Sequence, residues 1–148
     1  MISTMDAVID IDRPVDEVYR RWTDFDELPD LLPSVERMER IGEDVTHWDT
    51  RIGGLHRSFY AMTVEDIPNQ RISWESEAGK QHNGSVAFTP LGPDRTRLVL
   101  KLVWVPESFL ERTGARFGID RGIAEHDLGR FKQGVEGKGT PDHPVPLL

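Results

Sequence analysis

Histidines and clustered carboxylates are the side chains of this chain best able to move protons or hold a metal ion. Of its five histidines, His47 and His56 fall at or near strand positions, His82 beside a turn, His126 off the apolar stripe of its helix, and His143 near the end. No two are spaced as a helical metal pair, and none has a carboxylate at a recognisable motif spacing, so each reads as a solvated imidazole. Asp24, Asp26, Glu27 and Asp30 crowd around one short predicted helix. A solvated rim is their plain reading, and a general acid the more demanding one. The sequence has no Gly-x-Ser-x-Gly elbow, phosphate loop or dinucleotide fingerprint. Gly53-Gly54 precedes no helix start, which makes it a hairpin rather than a phosphate cradle. With no cysteine, thiol catalysis, thiolate metal sites and disulfides are excluded together. No catalytic residue declares itself, and neither a metal nor a cofactor is expected.

Four tryptophans, Trp22, Trp48, Trp74 and Trp104, are the other conspicuous side chains. Each falls on the inward face of a different predicted element. A packed core accounts for that placement, and so does an aromatic wall around an apolar or planar guest. Thr50, Thr63 and Ser76 share those faces and would orient such a guest.

The elements that carry these residues come in a telling order. Met5, Ala7, Ile9 and Ile11 alternate with Asp6, Asp10 and Asp12, the rhythm of a half-buried strand. Pro14 suits the first turn of a helix. Val15, Val18, Tyr19 and Trp22 then recur at helical spacing, and that helix ends near Asp24. A second short helix fits Glu27–Leu32, stopped by Pro33. Strands follow over Ser34–Ile41, Val45–Ile52, Arg57–Ile67, Arg71–Ser76, Gly84–Thr89 and about Arg97–Trp104. In the first of these Val35, Met38 and Ile41 do not alternate cleanly; in the last Leu98, Leu100, Leu102 and Trp104 form one face. Gly42-Glu43-Asp44, Pro68-Asn69, Ala78-Gly79-Lys80 and Pro90–Asp94 punctuate them as turns.

Pro106 ends the sheet. A helical piece over Ser108–Phe117 breaks near Gly118, and a second runs from Asp120, a good N-cap, to Glu136. Ala124, Leu128, Phe131 and Val135 form the stripe of that helix. From Gly137 onward, glycines and prolines read as a loose tail, so one domain over residues 1–136 and a flexible tail over 137–148 are expected. A meander of strands carries no helix of its own to cover its apolar face. The C-terminal helix must supply the cover, and a curved sheet closed by one helix leaves a hollow between them.

Composition narrows the partners. The 148 residues suit one small core, and the formal charge is −8, from 26 acidic and 18 basic residues with no basic run. Nucleic acid and anionic membrane surfaces, which need clustered Lys and Arg, are therefore poor partners. No apolar stretch approaches the roughly 20 residues that span a bilayer, and no signal peptide is evident, so a cytoplasmic protein without membrane insertion is expected.

With these segments laid out, the sequence resembles the polyketide cyclase/dehydrase family of the START/birch-allergen (SRPBCC, helix-grip) superfamily, from about Met5 to Glu136. The resemblance rests on Arg13-Pro14-Val15 with Val18, on Trp22-Thr23-Asp24-Phe25 leading to Leu28-Pro29, and on Trp48-Asp49. It continues through Glu65-Asp66-Ile67-Pro68-Asn69-Gln70-Arg71-Ile72-Ser73-Trp74-Glu75-Ser76, then Gly84-Ser85-Val86-Ala87-Phe88, Arg95-Thr96-Arg97-Leu98 and Leu128-Gly129-Arg130-Phe131-Lys132. It implies an α+β helix-grip fold, with a curved antiparallel seven-stranded sheet wrapped around a long C-terminal helix and two short helices after strand 1.

A cavity between sheet and helix, taking a hydrophobic lipid- or polyketide-like molecule, is the function so implied. Trp22, Phe25, Leu28, Leu32, Trp48 and Phe59 would line it, with Thr63, Trp74, Phe88, Leu100, Trp104, Leu128 and Phe131. The alternatives are a polyketide aromatase/cyclase or dehydratase acting in the same cavity, and a protein-binding or chaperone-like module. In the family's cyclases an inner-strand arginine and hydroxyl groups serve the chemistry. Phe59 and Thr63 match an aromatic and a hydroxyl site, Ala61 replaces a second aromatic, and Leu28 stands at a position that is often tryptophan. Glu65 stands where the arginine would be, which counts against cyclase chemistry unless Arg51 or Arg57 enters from a neighbouring strand.

Overall fold

The computed structural model describes residues 3–52, 55–76, 82–104 and 121–137. Seven antiparallel strands form one sheet in the order β1-β7-β6-β5-β4-β3-β2. They are β1 (Ser3–Ile11), β2 (Val35–Arg40), β3 (Val45–Ile52), β4 (Leu55–Ile67), β5 (Arg71–Ser76), β6 (His82–Gly92) and β7 (Arg95–Trp104). Helices α1 (Val15–Thr23) and α2 (Leu28–Leu31) lie between β1 and β2, and the long helix over Arg121–Glu136, here α3, follows the sheet. This is the expected helix-grip architecture, with the first strand returning to pair with the last. The hairpin at Gly53-Gly54, the turn at Ala78-Gly79-Lys80, Pro106, the piece Ser108–Phe117, Asp120 and the tail beyond Gly137 lie outside the described residues.

Alternation sets which face of each strand is buried. Ala7 and Ile11 on β1, Leu98, Leu100 and Leu102 on β7, and Val86 and Phe88 on β6 all point into the core. Ile72 and Trp74 on β5, Phe59 and Ala61 on β4, and Trp48 on β3 continue the same concave surface. The outer face is left to water, even where Tyr60, Met62 and Val64 follow one another along β4.

In two places the two-residue period slips. Between Val35 and Arg37 the β2–β3 register shifts, so Val35 faces Thr50 and Met38 faces Trp48, three positions apart on β2 but two on β3. That bulge is why β2 buries Val35 and Met38, whose spacing did not alternate cleanly, and why Ile41 is exposed. The β4–β5 register shifts again between Thr63 and Glu65.

Local rules account for the helices. Pro14 stands at the N-cap of α1, one position earlier than expected, and its carbonyl accepts from the Val18 N–H at 3.1 Å. Val18 and Trp22 are the buried stripe of α1, and Leu28 and Leu31 that of α2. Helix α2 is shorter than expected, because Leu32 is already extended ahead of Pro33. The Tyr19 hydroxyl donates to Asp66, tying α1 to the end of β4; partial burial and that carboxylate push its pKa up to about 12.

Helix α3 grips the sheet through Ala124, Leu128, Phe131 and Val135, all buried. Its last turn is clamped to the end of β1. The buried Glu136 carboxylate accepts from the Asp12 N–H and from Lys132 Nζ, both at 2.7 Å. Lys132 Nζ also donates to the Asp10 carbonyl at 2.7 Å, and the Arg13 guanidinium donates to the Glu136 carbonyl at 2.6 Å. Charge-assisted bonds of this kind are roughly twice as strong as neutral ones.

Candidate functional site

Between the concave sheet and α3 lies a hollow. It comprises about 550 Å³ of space not filled by atoms, its mouth included, of which about 50 Å³ can hold the centres of water-sized molecules. Since one water needs roughly 10–15 Å³ by that measure, the enclosed part has room for a few waters. Helix-side walls come from Trp22, Leu28 and Leu32, the sheet side from Trp48, Trp74, Leu100 and Leu102, and the roof from Ile123, Ala124 and Asp127 on α3. Ser34, Val35 and Thr50 complete the described lining. A second hollow with only about 10 Å³ lies against Phe25, Met38 and Thr63, and Trp22, Trp48 and Trp74 border both.

Specific contacts hold these indoles. Trp22 meets the Phe131 ring edge-on at 5.2 Å. Trp48 stacks on Phe59, its cross-strand partner, at 5.6 Å and lies 5.4 Å from Trp74. The Trp48 ring N–H donates to Thr46 Oγ1 at 2.8 Å, so its polar edge turns away into the sheet. Trp74 pairs with Gly84 on β6, and this glycine has a steric reason. A Cβ there would stand 2.7 Å from Trp74 Cζ2 and 2.8 Å from the Lys101 carbonyl oxygen. Only a residue without a side chain lets the indole lie flat across β6.

Of the residues singled out in the sequence, Trp22, Leu28, Leu32, Trp48, Trp74 and Leu100 meet around the larger hollow. Phe25 and Thr63 border the smaller one. Phe59, Phe88, Leu128 and Phe131 are packed in the core outside the described linings of both. Trp104 pairs with Ser3 and His82 in the ladder, and its side chain lies outside the described residues. Among the proposed orienting groups, the Thr50 hydroxyl donates to the Arg57 carbonyl at 3.1 Å, and Ser76 is buried beside Asn83 rather than on either hollow.

Glu65 is a correction. The register shift after Thr63 pairs it with Ser73, which lies on the opposite face from Ile72 and Trp74. On that outer face its carboxylate accepts from Ser73 Oγ at 3.2 Å and pairs with Arg71 at 3.1 Å. Glu65 therefore occupies no cavity position and brings no negative charge to a guest. Arg51 is also outside, 3.2 Å from Glu36, whereas Arg57 is buried on the concave face beside Thr50 but is not among the residues lining the hollow.

Sequence reasoning missed Asp127. Its carboxyl lines the larger hollow, accepts hydrogen bonds from the Ser34 hydroxyl and backbone N–H, and keeps Oδ1 buried with no hydrogen-bond partner among the described residues. Burial pushes its pKa above the usual carboxylate range, against the opposing pull of Ser34 and His126. The signal was available, since Asp127 lies three residues after Ala124 and four before Phe131, inside the stripe that faces the sheet. The clustered acids around α2, His47 and His56 lie elsewhere, while His143 and the His82 side chain are outside the described residues. Asp24, Asp26 and Asp30 are exposed and Glu27 pairs with Arg21 at 2.9 Å, while His56 contacts Glu36 and His47 packs on Tyr60 outside the sheet. Among the described residues no three His, Asp or Glu side chains group as a metal site, and no helix is long and apolar enough to cross a membrane.

A curled seven-stranded sheet closed by one C-terminal helix, with a hollow between them, defines the START-like, helix-grip class. The chain belongs to the family described as polyketide cyclase/dehydrase and lipid transport, whose profile matches residues 11–123. It is 33% identical over 139 residues to an uncharacterized 17.2 kDa protein from the melC2-rnhH intergenic region of Streptomyces lincolnensis, covering 93% of each chain. Among solved structures it superimposes on a START superfamily protein from Mycobacterium smegmatis with TM-score 0.70 and 16% identity, over 90% of this chain and 94% of that one. It also superimposes on the Zhui aromatase/cyclase from a Streptomyces species with TM-score 0.69 and 16% identity, over 98% of this chain and 100% of that one.

Proposed function

We propose that the protein binds a hydrophobic small molecule, lipid- or polyketide-like, in the hollow between sheet and α3. The observation that carries this reading is the wall itself. Trp22, Trp48, Trp74, Leu28, Leu32 and Leu100 come from five separate elements, and all turn apolar surface onto one space. Apolar walls with a few placed polar groups are the usual composition of small-molecule sites, which commonly run to about 300–1,000 Å³. The space reaches that range only when its mouth is counted, so a guest must part the walls or enter from the open side. Family membership supports the reading at the level of hydrophobic ligands. The test is mass spectrometry of an organic extract of the purified protein. A stoichiometric apolar compound, absent from an extract of a variant with Ala124 enlarged to Phe, supports the proposal; two identical, empty extracts count against it.

One observation favours a second reading, ring closure or dehydration of a bound polyketide-like guest. Asp127 offers the hollow a carboxyl whose proton is held more tightly than usual, a group suited to exchanging protons with an enolisable carbon. With Glu65 on the outer face, its own charge is not in the hollow. Conversion of a poly-β-keto substrate to one aromatic product, lost in Asp127→Asn, would establish it.

A further inference from the structure

We propose that the hollow selects guests carrying a protonated amine on an apolar or aromatic body, with the Asp127 carboxylate as the counter-charge. This deepens the binding reading above and rests on it. Asp127 is the only ionisable group in the described lining, and the one basic side chain that acts on it, His126, is exposed and lies outside that lining. Its Oδ1 is buried and unpartnered among the described residues, while Ser34 serves the rest of the carboxyl. The other lining hydroxyl, Thr50, already donates to a backbone carbonyl. Each kind of guest meets this arrangement differently. A carboxylate guest would bring a second negative charge into a space of low dielectric. A neutral alcohol would donate one hydrogen bond and leave the charge uncompensated. An ammonium group supplies both the hydrogen bond and the opposite charge.

The rings point the same way. Trp22, Trp48 and Trp74 all border the hollow, and an indole face attracts a cation within about 6 Å of its centroid. Trp48 has its N–H, the positive edge of its ring, bonded to Thr46 and so out of the space. Arg57, the buried cation on the same concave face, is not among the described lining residues.

The experiment uses three guests with one skeleton, phenethylamine, 2-phenylethanol and phenylacetate, titrated at neutral pH into the full chain. Tryptophan emission and melting temperature are the readouts. The amine should saturate at a concentration at least about tenfold lower than the alcohol, and phenylacetate should bind most weakly. Asp127→Asn should remove the amine's advantage over the alcohol. Equal binding of amine and alcohol, or phenylacetate binding best, would overturn the inference and leave the hydrophobic-guest reading standing. An amine advantage that survives in Asp127→Asn would overturn it as well, and should that variant not fold, the ranking on the unmodified chain decides. Failure of all three, together with failure of a broad panel of uncharged apolar compounds, would overturn both.

Discussion

A carboxyl set among indole rings governs what the hollow can hold, and Asp127 has a pH signature of its own. Burial makes its proton harder to remove in the folded chain than in the unfolded one, where aspartate titrates near about 3.9. The folded state therefore binds more protons above that value, and the stabilisation, complete below it, is lost as pH rises through the folded value. Ser34, by hydrogen bonding, and His126, by its charge, act on the carboxyl in the opposite direction without reversing the sign. In urea melts, the stability of the native chain relative to Asp127→Asn should fall as pH is raised from about 4 to 7. A difference that stays flat would show that the carboxyl titrates as it would in water. Gly84 carries a second residue-scale prediction. A methyl group there must displace Trp74 or the β7 backbone, so Gly84→Ala should cost about 1–3 kcal/mol and alter tryptophan emission. Urea melts of the two chains would check it. The need for a glycine under Trp74 could not be read from the sequence, because it depends on which residue the neighbouring strand places opposite.

Half-buried strands announce themselves through alternation, which is why β3, β5 and the inward face of β7 were legible within a residue or two of their observed limits. Bulges are not. One extra residue at β2 set Ile41 outside, and another in β4 carried Glu65 to the outer face, reversing the argument drawn from its position. Helix α3 was legible from its stripe, but its clamp was not, since Asp12 and Glu136 are 124 residues apart. Two substitutions measure the grip. Phe131 is fully buried and lies outside the described linings, so Phe131→Ala should cost about 3–5 kcal/mol rather than the smaller amount expected beside an open space. Glu136→Ala removes the acceptor shared by Lys132 and the Asp12 N–H and should cost about 2–3 kcal/mol. Melts in which either midpoint is unchanged would show that the helix is not held as described.

At the scale of the molecule, the order of elements determines where the hollow falls. The strand meander presents one continuous apolar face, α1 and α2 roof one end of it, and α3 crosses the rest. Of the aromatic lining, Trp22 and Trp74 were legible because each sat in a strong local rhythm, whereas Trp48 was placed by the family resemblance. The acid within it went unseen because attention to apolar positions passes over the polar residue among them. Binding of a guest by the native state alone raises the melting temperature with guest concentration. The most direct measurement is therefore a titration of the full chain with a panel of uncharged and amine-bearing apolar compounds, following tryptophan emission and melting temperature together. The account predicts saturation at one site with both signals moving, and loss of both in the Ala124→Phe variant, whose side chain fills the space. A panel that moves neither signal, or a filled variant that binds as tightly as the native chain, would contradict it.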